Sequence, residues 1–213
     1  MHYYTRYTSY PKMSYLQNRT GNLRVFHAVA DAPNVDVYAN DTLLVRDLTY
    51  GEYTEYLPVP NNNYRITLYE AGTRDNPLVS NMFMVTDDTM ATIAAVGTLE
   101  DLGLLSIPDN MTNPSSGNAK VRFVHLSPDA PAVDITLQDG TVLLPDVSYK
   151  QMTQYIEVSP GDYTLEVRVA GTDVVALTVS DLDLEEDTLY SIYAIGLAEG
   201  TPELEAVLVI DQF

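Results

Sequence analysis

RVFHAVADAPNVDVY (24–38) and RFVHLSPDAPAVDIT (122–136) align without a gap and share seven of their 15 residues. Working outward from them, LTYGEYTEYLPVPNNNYRITLYEAGT (48–73) aligns with VSYKQMTQYIEVSPGDYTLEVRVAGT (147–172), and DDTMATIAAVG (87–97) with EDTLYSIYAIG (186–196). The offset moves only from 98 to 99, so loop lengths are nearly kept. A fixed period of this kind means that one structural unit is present twice. Between the copies lies NMTNPSSGN (110–118), a polar Pro/Gly/Ser/Asn stretch of linker composition. The expected organisation is an arm over 1–22, a first repeat over 23–109, a linker over 110–118 and a second repeat over 119–213.

Each copy reads as all-β. YRITLYE (64–70) and YTLEVRV (163–169) alternate apolar and polar residues, which puts Ile66 with Leu68, and Leu165 with Val167, on one face. Turn residues recur between the runs, as in Asn61-Asn62-Asn63, Gln138-Asp139-Gly140 and Pro160-Gly161-Asp162. Short strands at that spacing, with no helical stripe, predict two tandem immunoglobulin-like (Greek-key) β-sandwiches preceded by an extended arm. Tyr64 and Tyr163 each follow a turn and open a core-facing strand, the place of a tyrosine corner, so a structural role is expected for both.

HLSPDAPAVDI, the following DVSYKQMTQYIEVSPGDYTLEV and the AGT turn resemble the bacterial domain of unknown function 4397. HAVADAPNVDVY in the first copy is a looser version, with Val29-Ala30 where the second has Ser127-Pro128. The resemblance runs over nearly all of 23–211. It implies an immunoglobulin-like sandwich, often in tandem and often on bacterial surfaces, and it implies no reaction. The arm falls outside it.

Composition narrows the function classes. The chain has 213 residues, 46% of them hydrophobic, and a formal charge of −19. Phosphate binding needs a basic face, so nucleic acid is not an expected partner. No stretch approaches 18 apolar residues, so no transmembrane segment is expected, and the first 22 residues hold no apolar h-region of a signal peptide. The absence of cysteine excludes disulfides and thiolate chemistry. GxSxG, HExxH, GxxxxGK[ST] and a strand-following GxGxxG are all missing, and three histidines leave little material for a triad. An enzyme is not expected, and no cofactor is called for.

Two motifs invite chemistry. His27, Asp31 and Asp36 recur as His125, Asp129 and Asp134, and a histidine with two carboxylates is a set that binds metal or moves protons. The stronger reading is structural, because Asp before Ala-Pro caps a turn by accepting backbone N–H bonds two residues on, and duplication suits a fold determinant. DLDLEED (181–187) has the acids of a surface calcium site, yet Asp181, Asp183 and Glu185 alternate with Leu182 and Leu184 as on the solvent face of a strand. The first copy has NMFMVTDD there, so Met82 and Met84 replace two acids and are expected to point outward. An apolar pair on one strand face marks either a covered intramolecular contact or a contact with another chain.

The arm, MHYYTRYTSYPKMSYLQNRTGN, holds five tyrosines, three basic residues and no acid, ahead of a body of net −22 (eight basic minus thirty acidic). Its Tyr and Thr favour a pleated, half-buried strand, which Pro11 would end. A cationic, β-prone tail beside acidic sandwiches points to strand addition on a neighbouring subunit, and a head-to-tail contact of that kind builds a filament. Tyr3, Tyr4, Arg6, Tyr7 and Tyr10 would make the contact, with Met82 and Met84 as further interface residues. The expected function is therefore a non-enzymatic structural protein, a homo-oligomer or homopolymer on the cell exterior or spore surface. The alternative is an adhesin-like module that binds carbohydrate, a glycan stacking on Tyr50, Tyr53, Tyr149 or Tyr190, although the lack of tryptophan weakens it.

Overall fold

A computed structural model describes residues 20–109 and 112–211, and the chain divides into two units on either side of residues 110–111. The described residues contain strands, turns and no α-helix. In the first unit these are β1 (Thr20–His27), β2 (Val35–Ala39), β3 (Thr42–Leu48), β4 (Leu57–Pro60), β5 (Asn62–Glu70), β6 (Pro77–Val85), β7 (Met90–Val96) and β8 (Gly103–Pro108). They form two four-stranded sheets, β4-β1-β7-β8 and β3-β2-β5-β6. The second unit repeats the plan with β9 (Ala119–His125), β10 (Val133–Leu137), β11 (Val142–Val147), β12 (Ile156–Val158), β13 (Gly161–Val169), β14 (Val175–Leu184), β15 (Leu189–Ile195) and β16 (Glu205–Ile210). Its sheets are β12-β9-β15-β16 and β11-β10-β13-β14.

Each unit is a β-sandwich because alternate residues of both its sheets converge on one core. In the first, Val25 and Ile93 from one sheet meet Val37, Ile66 and Leu68 from the other. In the second, Phe123 and Ile192 meet Ile135, Leu165 and Leu182. Burial of large aliphatic side chains at roughly 25 cal/mol per Å² is the main force closing such a sandwich. β1 pairs parallel with β7, and β9 with β15, whereas their other neighbours are antiparallel. This parallel pair was not legible from the sequence.

Two boundaries differ from the sequence reading. Thr20, Gly21 and Asn22, assigned there to the arm, lie in β1 and pair with Pro58–Pro60. Gly21 has no room for a side chain, since a Cβ would meet Thr86 O at 2.6 Å and Val85 Cγ1 at 2.7 Å. Likewise the end of the expected linker is tied to the second unit. Ser115 N–H donates to Glu157 (3.1 Å), Gly117 N–H to Asp187 (3.1 Å), and Asn118 O accepts Asp187 N–H (2.7 Å). Residues 1–19, with Tyr3, Tyr4, Arg6, Tyr7 and Tyr10, lie outside the described residues.

Candidate functional site

The duplicated His–Asp–Asp motif runs from the end of the first strand of each unit, through the loop beyond it, into the second strand, where Asp36 and Asp134 stand. His27 is buried; its Nε2 lies 3.1 Å from Pro33 O, and its Nδ1 accepts Val29 N–H at 3.3 Å. A carbonyl only accepts, so Nε2 carries the hydrogen and the ring is neutral. Burial holds its pKa below the ordinary 6.5, against the pull of the Pro33 carbonyl. His125 repeats the bond to Pro131 O at 3.0 Å and is likewise lowered by burial, but its buried Nδ1 has no hydrogen-bond partner. Tyr50 and Tyr149 meet the two rings edge-on, with centroids at 6.5 and 6.3 Å.

The carboxylates do not gather around these rings. Asp31 accepts Leu99 N–H at 2.8 Å, and Asp129 accepts Ala198 N–H (2.8 Å) and Glu199 N–H (3.1 Å). These donors stand in the connections β7–β8 and β15–β16, not two residues on as the turn reading expected; only the Ser127 hydroxyl bond at 3.3 Å is local. Partial burial pushes the Asp129 carboxyl up, but those donors outweigh it and hold the group below its usual range. Asp36 accepts Asp47 N–H (2.8 Å) and Gly72 N–H (3.0 Å); Asp134 accepts Asp146 N–H (2.8 Å) and Gly171 N–H (2.9 Å). Asp47 and Asp146 stand at bulges with φ of 53° and 51°, and the two glycines are in the left-handed region of the AGT turns. Each motif thus ties two distant connections and one strand bulge to the sandwich. Among the described residues no three His, Asp or Glu side chains are placed to share an ion.

A second duplicated cluster escaped the sequence reading. Arg122 is buried on β9; its Nε donates to Ser191 Oγ at 2.6 Å and its guanidinium lies 3.8 Å from Asp211 Oδ2. Ser191 and Tyr155 both donate to that carboxylate, the phenol at 2.7 Å, while the guanidinium stacks 4.7 Å from the Tyr155 ring. Burial, and then the Asp211 charge, push the Tyr155 phenol well above its ordinary pKa of 10, so it stays a donor. In the first unit Arg24 stacks 4.1 Å from the Tyr56 ring, and Tyr56 and Thr92 both donate to Asp109 at 2.8 Å. The signal available was Arg24 and Arg122 at matched positions between apolar residues. With Arg122 and Asp211 side chains at 3% and 0% exposure, the second cluster is closed to any substrate and secures a strand end.

The surface candidates are arranged differently. Met82 and Met84 are 59% and 72% exposed on β6, with Phe83 and Val85 turned inward. At the matching place on β14, Asp181 and Asp183 are exposed and Leu182 and Leu184 buried. Tyr163 donates to Ser159 O at 2.8 Å and packs against the second core, as Tyr64 packs against the first. Of the tyrosines considered as sugar platforms, Tyr190 is a correction: it is buried, and its hydroxyl accepts Glu185 N–H at 3.0 Å. Tyr50, Tyr53 and Tyr149 are half-buried. A shallow depression of about 270 Å³ lies beside Asp146 and Gln151, without a cluster of charged groups.

These features define a tandem β-sandwich protein with buried polar ties and one exposed methionine edge. Residues 21–136 and 136–212 match the domain of unknown function DUF4397, and the chain belongs to that family. No curated protein matches the chain. Among solved structures it is similar to the C-terminal domain of AlgF from P. aeruginosa, at 24% identity and a TM-score of 0.32. That likeness covers 44% of this chain and 98% of the AlgF domain.

Proposed function

We propose that the protein is a non-enzymatic structural protein of a bacterial exterior or spore surface, which self-assembles through its N-terminal arm. The arm adds as a strand to a sheet edge of a neighbouring subunit, and the contact repeats head to tail. The observation that carries this reading is the charge contrast: an arm with three basic residues and no acid precedes a body of net −22 (eight minus thirty). Among the described residues, each sheet ends in strands hydrogen-bonded to one neighbouring strand of that sheet, and a strand edge is a template for another chain. Tyrosines supply contact area and hydroxyl hydrogen bonds, and Arg6 supplies the attraction to an acidic body.

The test compares the full-length chain with its Arg6→Glu variant and with a chain starting at Thr20, where β1 begins. Light scattering and negative-stain electron microscopy should show fibres or large oligomers for the full-length chain, and far smaller species for the other two. Folded monomers in all three cases would end the assembly reading.

A further inference from the structure

Building on that reading, we propose that the acceptor edge is β6 of the first repeat, over Val79–Val85, and that its occupant is residues 2–10 of the arm of a second copy. β6 and β14 are the last strands of corresponding sheets, each paired on one side only among the described residues. An open edge is a template for another strand unless charges, proline or a bulge guard it. β14 carries such guards. Its register with β13 breaks between Tyr163 and Leu165, where Asp181 stands at φ 57°, and Asp181 and Asp183 face solvent. β6 carries none of them over the same span. From Asn62↔Val85 to Leu68↔Val79 it runs seven pairs in unbroken register, and VSNMFMV holds no charge, no proline and no left-handed residue.

The arm fits this edge in length, chemistry and charge. HYYTRYTSY is nine residues ended by Pro11, long enough to span the seven residues Val79–Val85 in extended form. The two-residue period puts Tyr3 and Tyr7 on one face of such a strand and Tyr4, Arg6 and Tyr10 on the other. Either tyrosine row meets exposed Met82 and Met84, and methionine sulfur packs well against aromatic rings. The edge is bracketed by acids, Asp75 before it and Asp88 after it, both exposed, which suit a cationic strand that has no acid of its own.

The place where the arm leaves the fold favours a neighbour's edge over its own. Gly21 packs against Val85 and Thr86, so the described chain starts beside the C-terminal end of its own β6. To add antiparallel there, residues 11–19 would have to run back along the strand almost fully extended, with a reach of roughly 30 Å. A second copy's arm has no such constraint, and antiparallel pairing is the more stable kind.

The chain has no cysteine, so an engineered pair is unique. Full-length Tyr3→Cys or Tyr7→Cys protein is mixed with full-length Met84→Cys protein under mild oxidation, with Asp183→Cys as the matched partner on β14. Disulfides joining unlike copies should form several-fold more with Met84→Cys, mapped by peptide mass. Equal or greater yield with Asp183→Cys would overturn the choice of edge and leave arm-driven assembly standing. A monomer with both Tyr7→Cys and Met84→Cys that closes on itself would show the arm covering its own edge, which overturns the second-copy occupant. No cross-link at all, from a chain that scatters as a monomer, would remove the function itself. As an independent readout, Met82→Lys with Met84→Lys should raise the concentration needed for assembly at least tenfold. Asp181→Lys with Asp183→Lys should not; loss of assembly only in the latter would reverse the assignment.

Discussion

At one place in the sandwich the two repeats part company: β6 shows Met82 and Met84 to solvent where β14 shows Asp181 and Asp183. One residue along, the inward positions have stayed apolar, with Phe83 and Val85 against Leu182 and Leu184. The inward face is fixed by packing, since a core at crystal-like density rejects changes of size or polarity. The outward face answers only to solvent and to whatever touches it, so difference there is a record of use. The buried polar ties, by contrast, recur in both units at matching positions, with Thr92 in the first where the second has Ser191.

The comparison breaks first, if it breaks, at the charge clusters. Arg122→Ala leaves the Asp211 carboxylate, which is 0% exposed, without its cation. Urea unfolding should register a loss of about 3–5 kcal/mol. Arg24→Ala tests whether the first unit depends on its cluster as heavily, and a cost below about 1 kcal/mol there would show that the two have diverged inside as well as outside. Next come Gly97 and Gly196, with φ of 103° and 85°, whose Cβ would meet Asp101 O at 2.5 Å and Glu203 O at 2.2 Å. Alanine at either position should cost about 3 kcal/mol in the same assay, more at Gly196.

Asp36→Ala and Asp134→Ala each strand two backbone donors, and about 2 kcal/mol is expected from each. The Gly171 and Asp146 N–H groups hold the Asp134 carboxyl below its ordinary 3.8. Its stabilisation is therefore complete above 3.8 and is lost as pH falls through the folded value, so Asp134→Ala should flatten the acid limb of stability against pH. Smaller still is the histidine effect. Burial lowers both imidazoles, so the unfolded chain takes up protons first as pH drops below 6.5, and stability declines from there. Replacing His27 and His125 by glutamine should remove that slope. Met82→Thr and Met84→Thr should shift unfolding by less than about 0.5 kcal/mol, because both side chains are exposed. A larger loss would mean that the methionines hold the fold and are not a free contact surface.

How much of this was legible in the sequence depended on whether a feature was local. The repeat, the strands of period two and the outward methionines could be read because alternation is a property of neighbouring residues. The bonds of Asp31 and Asp129 could not, since their donors lie in loops 68–70 residues away and nothing near them announces the partner. Arg24 and Arg122 were missed because a charge within a strand reads as a solvent-facing position, whereas these are buried among tyrosines. Tyr190 was misread for a related reason: every residue of β15 is buried, so the strand has no polar face to separate inside from outside.

The parallel pairing of β1 with β7 governs how the molecule is made. Leu23 waits for Ala91, a separation of 68 residues (91 minus 23), before the central pair of its sheet exists. A ribosome must therefore release nearly the whole first repeat before the centre of that sheet can form, although the sheet β3-β2-β5-β6 lies wholly within residues 35–85 and precedes it. Once β8 is out at Pro108, every strand of that sandwich is present, and it can complete itself while the second is still being synthesised. Duplication divides one slow, non-local folding problem into two in sequence, so that each newborn copy offers a finished first sandwich before its own last residues are in place.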